Sequence, residues 1–269
     1  MKPFIKWAGG KARLLPVLTP LLPVDPTAGR YWEPFLGGGA MFFHLLPPLA
    51  VLSDVNVGAI NAYRHVRDKR ILLCEALRWL KAEHAGDPKA TYLRLRDRYN
   101  SGTDSPLGRA ALFLYLNKAG FNGLYRENRE GKFNVPKGSN DLESWEPHLE
   151  ISVGHGHALR HAVVSVGSFH CILPEKGDFV YLDPPYLPTN ESSFTAYNKT
   201  AFGVQQHVQL ADFLRGVHSS GARFMLSNAD TPLARALYSE WRIDSIEAPR
   251  TISANGSRAP AKEIVVRNY

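Results

Sequence analysis

Residues 178–190 read DFVYLDPPYLPTN. The apolar run Phe179–Leu182 ends in a carboxylate, two prolines and a tyrosine. Two prolines in a row remove two backbone donors and stop a strand or helix. Asp183 and Tyr186 are therefore expected on a stiff corner of fixed geometry. A carboxylate at the carboxyl end of a central strand stands where α/β sheets bind ligands. Such an acid, with a backbone carbonyl beside it, accepts hydrogen bonds from an amine, and an aromatic ring stacks on a flat heterocycle. Together they suit alkylation of an amino group on a base. The exocyclic nitrogen's lone pair is conjugated into the ring, and drawing its hydrogens toward acceptors turns that pair toward attack.

Two glycine turns could approach a ligand closely. FLGGG (35–39) follows a predicted strand and has the spacing Phe35-x-Gly37-x-Gly39, not that of a phosphate-gripping P-loop. Asp54 ends the next strand, AVLSD (50–54). An acid there accepts from ribose hydroxyls, or else caps a helix from Val55 onward. KWAGGK (6–11) is an exposed basic turn or, with Trp7 beside its glycines, a second close approach to a flat or anionic ligand. His157 and His161, spaced i, i+4 in GHGHALRH (154–161), lack the glutamate of a metalloprotease motif and are read as a surface helix, so no metal is expected.

Elements must hold these residues in place. YWEPF (31–35), AVLSD (50–54), AVVSVGSF (162–169), DFVYLD (178–183) and ARFMLSN (222–228) read as strands, with a C-terminal pair at 242–248 and 262–269. AMFFHLL (40–46), GVQQHVQLADFLRGV (203–217) and a short stretch around 231–240 read as helices. Strand, glycine turn, helix and strand ending in Asp open a nucleotide-binding α/β unit. Residues 58–118 carry apolar residues at helical spacing, with Gly120 a stop, and 121–140 read as turns or a β-hairpin.

The chain of 269 residues is 44% hydrophobic and carries a net charge of +7. Residues 61–140 hold 16 Lys and Arg against 8 Asp and Glu, +8; the rest hold 16 against 17, −1. The whole excess lies in one segment, which points toward polyanions, nucleic acid above all. Cys74 and Cys171 are expected as free buried thiols. No leader of signal-peptide length is seen, and prolines and glycines break the uncharged stretch 34–52, so a soluble, cytoplasmic chain is expected.

KWAGGK, EPFLGGGAMFF, LSDVN, FLYLNKAGFNGLYRENREGKFNVPKG, VYLDPPY, FTAYNKTAF and MLSN, in that order, resemble the Dam-type DNA adenine-N6 methyltransferases. The resemblance implies a Rossmann-like α/β fold: a seven-stranded methyltransferase sheet with an antiparallel C-terminal hairpin. It implies a discontinuous catalytic domain, 1–60 and 141–269, and an inserted, mostly helical target-recognition domain, 61–140. It implies S-adenosylmethionine on Trp7, Lys11, Phe35, Gly37, Gly39, Asp54 and Asp183, with no metal. Asp183, Pro184 and Tyr186 would hold a flipped adenine, with Tyr197 near it. Duplex DNA would meet Lys6, Phe121, Asn122, Leu124, Arg126, Pro136 and Lys137, with GATC the expected site. Relatives place a basic and an aromatic residue where this chain has Ser139-Asn140. A monomer encoded by a bacterium or phage is expected. Two alternatives stay open: an amino methyltransferase acting on cytosine N4 or another amine, and a non-catalytic DNA-binding relative.

Overall fold

Phe179–Leu182 shows no alternation of polar and apolar residues, and all four are buried. That is the pattern of a parallel strand covered on both faces. The computed structural model, which describes residues 1–187, 202–248 and 261–269, makes it the central strand of a seven-stranded sheet. The strands are β1 (Tyr31–Glu33), β2 (Ala50–Asp54), β3 (Ala162–Val166), β4 (Phe179–Leu182), β5 (Arg223–Ala229), β6 (Arg242–Ala248) and β7 (Ala261–Arg267), in the order β3-β2-β1-β4-β5-β7-β6. β1 runs parallel to β2 and β4, and β4 to β5, while β7 is antiparallel to both β5 and β6. This is the expected Rossmann-like sheet with its antiparallel C-terminal pair.

The chain goes from β1 to one side, then returns to β4 on the other. The carboxyl ends of β1 and β4 therefore form the switch point at which such sheets bind ligands. Their register is Tyr31↔Phe179 and Trp32↔Val180. Asp178 locks the opposite ends: its Oδ1 accepts from Arg30 N at 2.9 Å and its Oδ2 from Trp32 Nε1 at 2.7 Å. β1, β3 and β4 are shorter than expected, stopping before Pro34, Gly167 and Asp183-Pro184. Proline cannot extend a hydrogen-bonded ladder and glycine weakens one.

By its contacts the chain divides into two units. One comprises Lys11–Leu36, Pro47–Ser53 and Gly167–Tyr269. Its core packs Trp32, Val180, Leu182, Phe224 and Leu226 with Leu210 and Leu214 of α9 (Val204–Ser219) and Ala234 of α10 (Pro232–Leu237). Each large aliphatic side chain buried there contributes about 1.5–3 kcal/mol. The same unit holds the short helix α1 (Leu15–Leu18).

The other unit comprises Met1–Gly10, Gly37–Leu46 and Asp54–Val166. It holds α2 (Ala40–Leu45), α3 (Val57–Asp68), α4 (Arg70–Gly86), α5 (Pro88–Ser101), α6 (Pro106–Ala119), α7 (Pro147–Glu150) and α8 (Val153–Leu159). The side chains of Asn56, Asp87 and Ser105 cap α3, α5 and α6, and Pro88 and Pro106 occupy first helical positions. Every residue of α6 from Ala110 to Asn117 is buried, because α3, α4 and α5 pack around it. In α8 the histidine that turns inward is His155, tied to the Lys2 carbonyl at 2.8 Å. Among the described residues, no three metal-ligating side chains converge, and no helix is long and apolar enough to cross a membrane. Cys74 is buried as expected, but Cys171 is exposed, because it ends a short 3-10 turn on the surface.

Candidate active site

β1 runs out through Pro34 into the FLGGG turn. Gly37 and Gly39 have φ of +46° and +67°, which a side chain would strain. Gly37 N donates to Asp54 Oδ2 at 2.8 Å, and Asn56 N to Asp54 Oδ1 at 2.9 Å. Tyr63 reaches in from α3, its hydroxyl donating to the Gly37 carbonyl at 3.2 Å. Asp54 does not cap a helix. α3 begins at Val57, and Asn56 caps it by accepting from Ala59 N. The acid instead braces the glycine turn. Burial pushes its carboxyl above the usual range, and the bonds from Asn56 and Gly37 oppose that rise. Val55 bonds the carboxylate from the backbone as well, which leaves one of its roughly four lone-pair sites for a hydroxyl donor.

Trp7 covers this turn. A Cβ at Gly37 would stand 2.6 Å from Trp7 Cδ1. Trp7, Gly37 and Asp54 are thus brought together, and Gly39 leads into α2. Phe35 lies in the other unit, its ring 5.8 Å from Phe169 and edge-on to Phe202 at 5.4 Å. Phe202 itself packs against the core, the ordinary fate of an aromatic residue.

At the end of β4 the DPPY corner gathers five charged or polar side chains, its own Asp183 and Tyr186 with Lys11, Glu263 and His207. Lys11, buried, places Nζ 2.8 Å from Asp183 Oδ1 and 4.7 Å from the centre of the Tyr186 ring. Apart from that ion pair, the buried Oδ1 has no polar partner among the described residues. The Asp183 side chain keeps 19% of its surface exposed, so the carboxylate is anchored through one oxygen and offers the other. Burial pushes its carboxyl up, Lys11 opposes this, and the nearby charge of Glu263 adds to it. The Tyr186 hydroxyl donates to Glu263 Oε2 at 2.7 Å. The second proline makes a contact of its own: the Pro185 carbonyl accepts from His207 Nε2 at 3.0 Å.

An acid and a ring stand at the end of β4, and the glycine turn after β1 is braced by Asp54. The family model of the D12 class of N6 adenine-specific DNA methyltransferases matches residues 7–252. This chain belongs to that class. It is 39% identical over 277 residues to the Type II methyltransferase M1.LlaDCHI of Lactococcus lactis subsp. cremoris, covering 100% of this chain and 96% of that protein. The Type II methyltransferase M.MjaIII of Methanocaldococcus jannaschii is 34% identical over 290 residues, covering 100% of this chain and 99% of its own. The DNA adenine methylase of Escherichia coli (strain K12) is 33% identical over 256 residues, covering 94% and 90%. The chain is an adenine-N6 methyltransferase.

In this methyltransferase the segment 120–138 folds back on itself through the isolated bridges Gly120↔Lys137 and Glu127↔Phe133. Phe121 and Asn122 are exposed on a tight turn in which Asn122 and Gly123 have positive φ. Phe121 N donates to the Pro136 carbonyl at 2.9 Å. The exposed Arg126 is held at Nε by Asn134 Oδ1, 2.8 Å away. Leu124 is half-buried, and Lys137 turns its Nζ to the Gly138 carbonyl. Asn140 stabilises its own turn, accepting from Leu142 N at 3.0 Å. Tyr197 lies outside the described residues.

Sequence reasoning missed three residues. Asn117, buried in α6, accepts from Lys6 N at 2.9 Å and donates to the Lys6 and Gly123 carbonyls at 2.8 and 2.9 Å. It joins the KWAGGK and FNG turns, and the same amide lies inside the quoted FLYLNKAGFNG. Glu263 and His207 carry no local signal, since their partners are 77 and 22 residues away.

Proposed function

We propose that this methyltransferase acts on an adenine extruded from duplex DNA, within GATC, using Asp183, the Pro184 carbonyl and Tyr186. Asp183 carries the reading: a largely buried carboxylate at the end of β4, fixed through Oδ1 by Lys11, whose Nζ also lies over the Tyr186 ring. An N6 amine inside a base pair is out of reach, so the base leaves the stack. Its ring lies on Tyr186, and its amino hydrogens point to Asp183 and the Pro184 carbonyl. The lone pair turns toward the methyl donor. Asp183, whose carboxyl burial pushes up, holds at Oδ2 the proton that the methylated amine sheds.

The glycine turn fits S-adenosylmethionine. Gly37 leaves no room for a side chain, and Asp54 stands beside it with an acceptor for a ribose hydroxyl. Trp7, Lys11, Phe35, Gly37, Gly39 and Asp54 hold it. When bound, it supplies a methyl group on a positively charged sulfur. Residues 61–140 form the recognition insert, with Lys6, Phe121, Asn122, Leu124, Arg126, Pro136 and Lys137 toward DNA. Arg126 pairs with a guanine edge and Leu124 meets a thymine methyl. The enzyme acts in the cytoplasm as a monomer.

The test has two parts. DNA from a host expressing the chain is sequenced for methylated positions, and GATC adenines are expected; another motif would overturn the site. Tritium transfer to unmethylated duplex is then compared with Asp183→Ala. Near-total loss is expected, and undiminished transfer would refute the role of Asp183.

A further inference from the structure

We propose that His207 is a positioning residue of the methyl-transfer site, holding with Asn228 the peptide planes from which Asp183, the Pro184 carbonyl and Tyr186 project. The inference rests on the reading of Asp183 as the amine's acceptor. Proline fixes φ but leaves ψ free. The two prolines therefore stiffen the corner without setting where its carbonyls point. A hydrogen bond to one of those carbonyls removes that freedom.

His207 provides it from α9. The Pro185 carbonyl can only accept, so the proton sits on His207 Nε2, 3.0 Å away. Nδ1 is then an acceptor, and it faces the Tyr238 hydroxyl at 3.0 Å and Asn228 Nδ2 at 3.4 Å. Both neighbours are donors there, so the ring is held in one tautomer. His207, Asn228 and Tyr238 are all fully buried. Burial also keeps the imidazole neutral, its pKa falling to about 4.

Asn228, at the end of β5, closes the arrangement from the other side. Its Oδ1 accepts from Leu187 N at 3.2 Å and from its neighbour Ala229 N at 2.8 Å. The carbonyl of Pro185 and the amide of Leu187 are thus gripped on either side of Tyr186. The hydroxyl of Tyr186 is gripped separately by Glu263. Three partners that all lie outside the DPPY tetrapeptide, His207, Asn228 and Glu263, fix its geometry. Near-attack geometry is sensitive at the scale of 1 Å, where a misplacement costs about a hundredfold in rate.

The experiment compares His207→Leu, which fills the space without a donor, with His207→Gln, whose amide can still donate to Pro185. Tritium transfer from S-adenosylmethionine to duplex DNA is measured well below each variant's melting point, with Asp183→Ala alongside. For His207→Leu, kcat is expected to fall at least about tenfold, with KM for cofactor and DNA within about twofold. His207→Gln should return kcat to within about threefold. A His207→Leu enzyme with unchanged kcat, or a His207→Gln enzyme as slow as His207→Leu, would overturn the proposal. Should His207→Leu show no cooperative melt, His207→Met takes its place under the same criteria, since Met adapts to irregular space. Activity retained in Asp183→Ala would instead overturn the reading of the corner itself.

Discussion

The Tyr186 hydroxyl and the Glu263 carboxylate, 77 residues apart in the chain, meet at 2.7 Å. β7 pairs Glu263 with Ala229 of β5 and Ile246 of β6, so a rigid sheet delivers the acid to the ring. The bond sets the rotation of the aromatic plane, and the charge acts on Asp183 as well.

Glu263→Gln keeps an acceptor for Tyr186 but removes the charge that raises the Asp183 carboxyl. That carboxyl then titrates lower, and its ionised form persists to lower pH. The acid limb of kcat should move acidward across a profile from about pH 5 to 9, with the plateau changed less than about threefold. Glu263→Ala, which frees the ring, should cost about tenfold in kcat.

Gly37→Ala meets two obstacles, a φ of +46° and Trp7 Cδ1 at 2.6 Å. A loss of about 1–3 kcal/mol is expected in urea unfolding. Calorimetry with S-adenosylmethionine should show at least about tenfold weaker binding.

Asp54→Asn leaves one backbone N–H facing an amide NH2 instead of an oxygen. Cofactor affinity should fall about ten- to a hundredfold. In the wild type the raised Asp54 carboxyl takes up its proton above the usual carboxylate range. Cofactor binding should therefore weaken on acidification earlier than an ordinary aspartate would dictate, and calorimetry at a series of pH values checks this.

His207 makes the fold acid-sensitive. Its pKa falls from 6.5 to about 4 on folding, so the unfolded chain binds the proton more readily. Stability is complete above the unfolded value and declines as pH drops toward 4. The loss is about 1 kcal/mol by pH 5.5 and about 3 kcal/mol by pH 4. His207→Gln should lose that share of the slope in urea titrations.

Arg126→Ala separates two roles. If Arg126 reads a guanine, affinity for the methylated site falls about ten- to a hundredfold and one position of the motif relaxes. If it meets a phosphate, binding weakens alike on all sequences and the salt slope falls by about one. The base-reading outcome is expected.

Much of the architecture was legible in the chain. β2 and β6 fall where expected, Ala50–Asp54 and Arg242–Ala248, because apolar periodicity and flanking breakers are local properties. The glycine turn and the corner were legible for the same reason: positive φ and proline stiffness belong to single residues. The role of Asp54 was not, since its choice between capping a helix and bracing Gly37 depends on where β1 ends beside it.

The sequence by itself determined which residues could do chemistry and on which elements they ride: an acid and a ring behind Phe179–Leu182, glycines behind β1, and a net positive excess confined to 61–140. It did not show what Asp178, the other acid that brackets β4, does. Parallel pairing decides that. At the amino end Asp178 is consumed by Arg30 and Trp32; at the carboxyl end Asp183 opens onto the switch point. Lys11, His207, Asn228 and Glu263 join the site for a related reason. Their hydrogen bonds and charges act over about 3 Å, a distance that only the folded sheet and helix α9 create between residues so far apart in the chain.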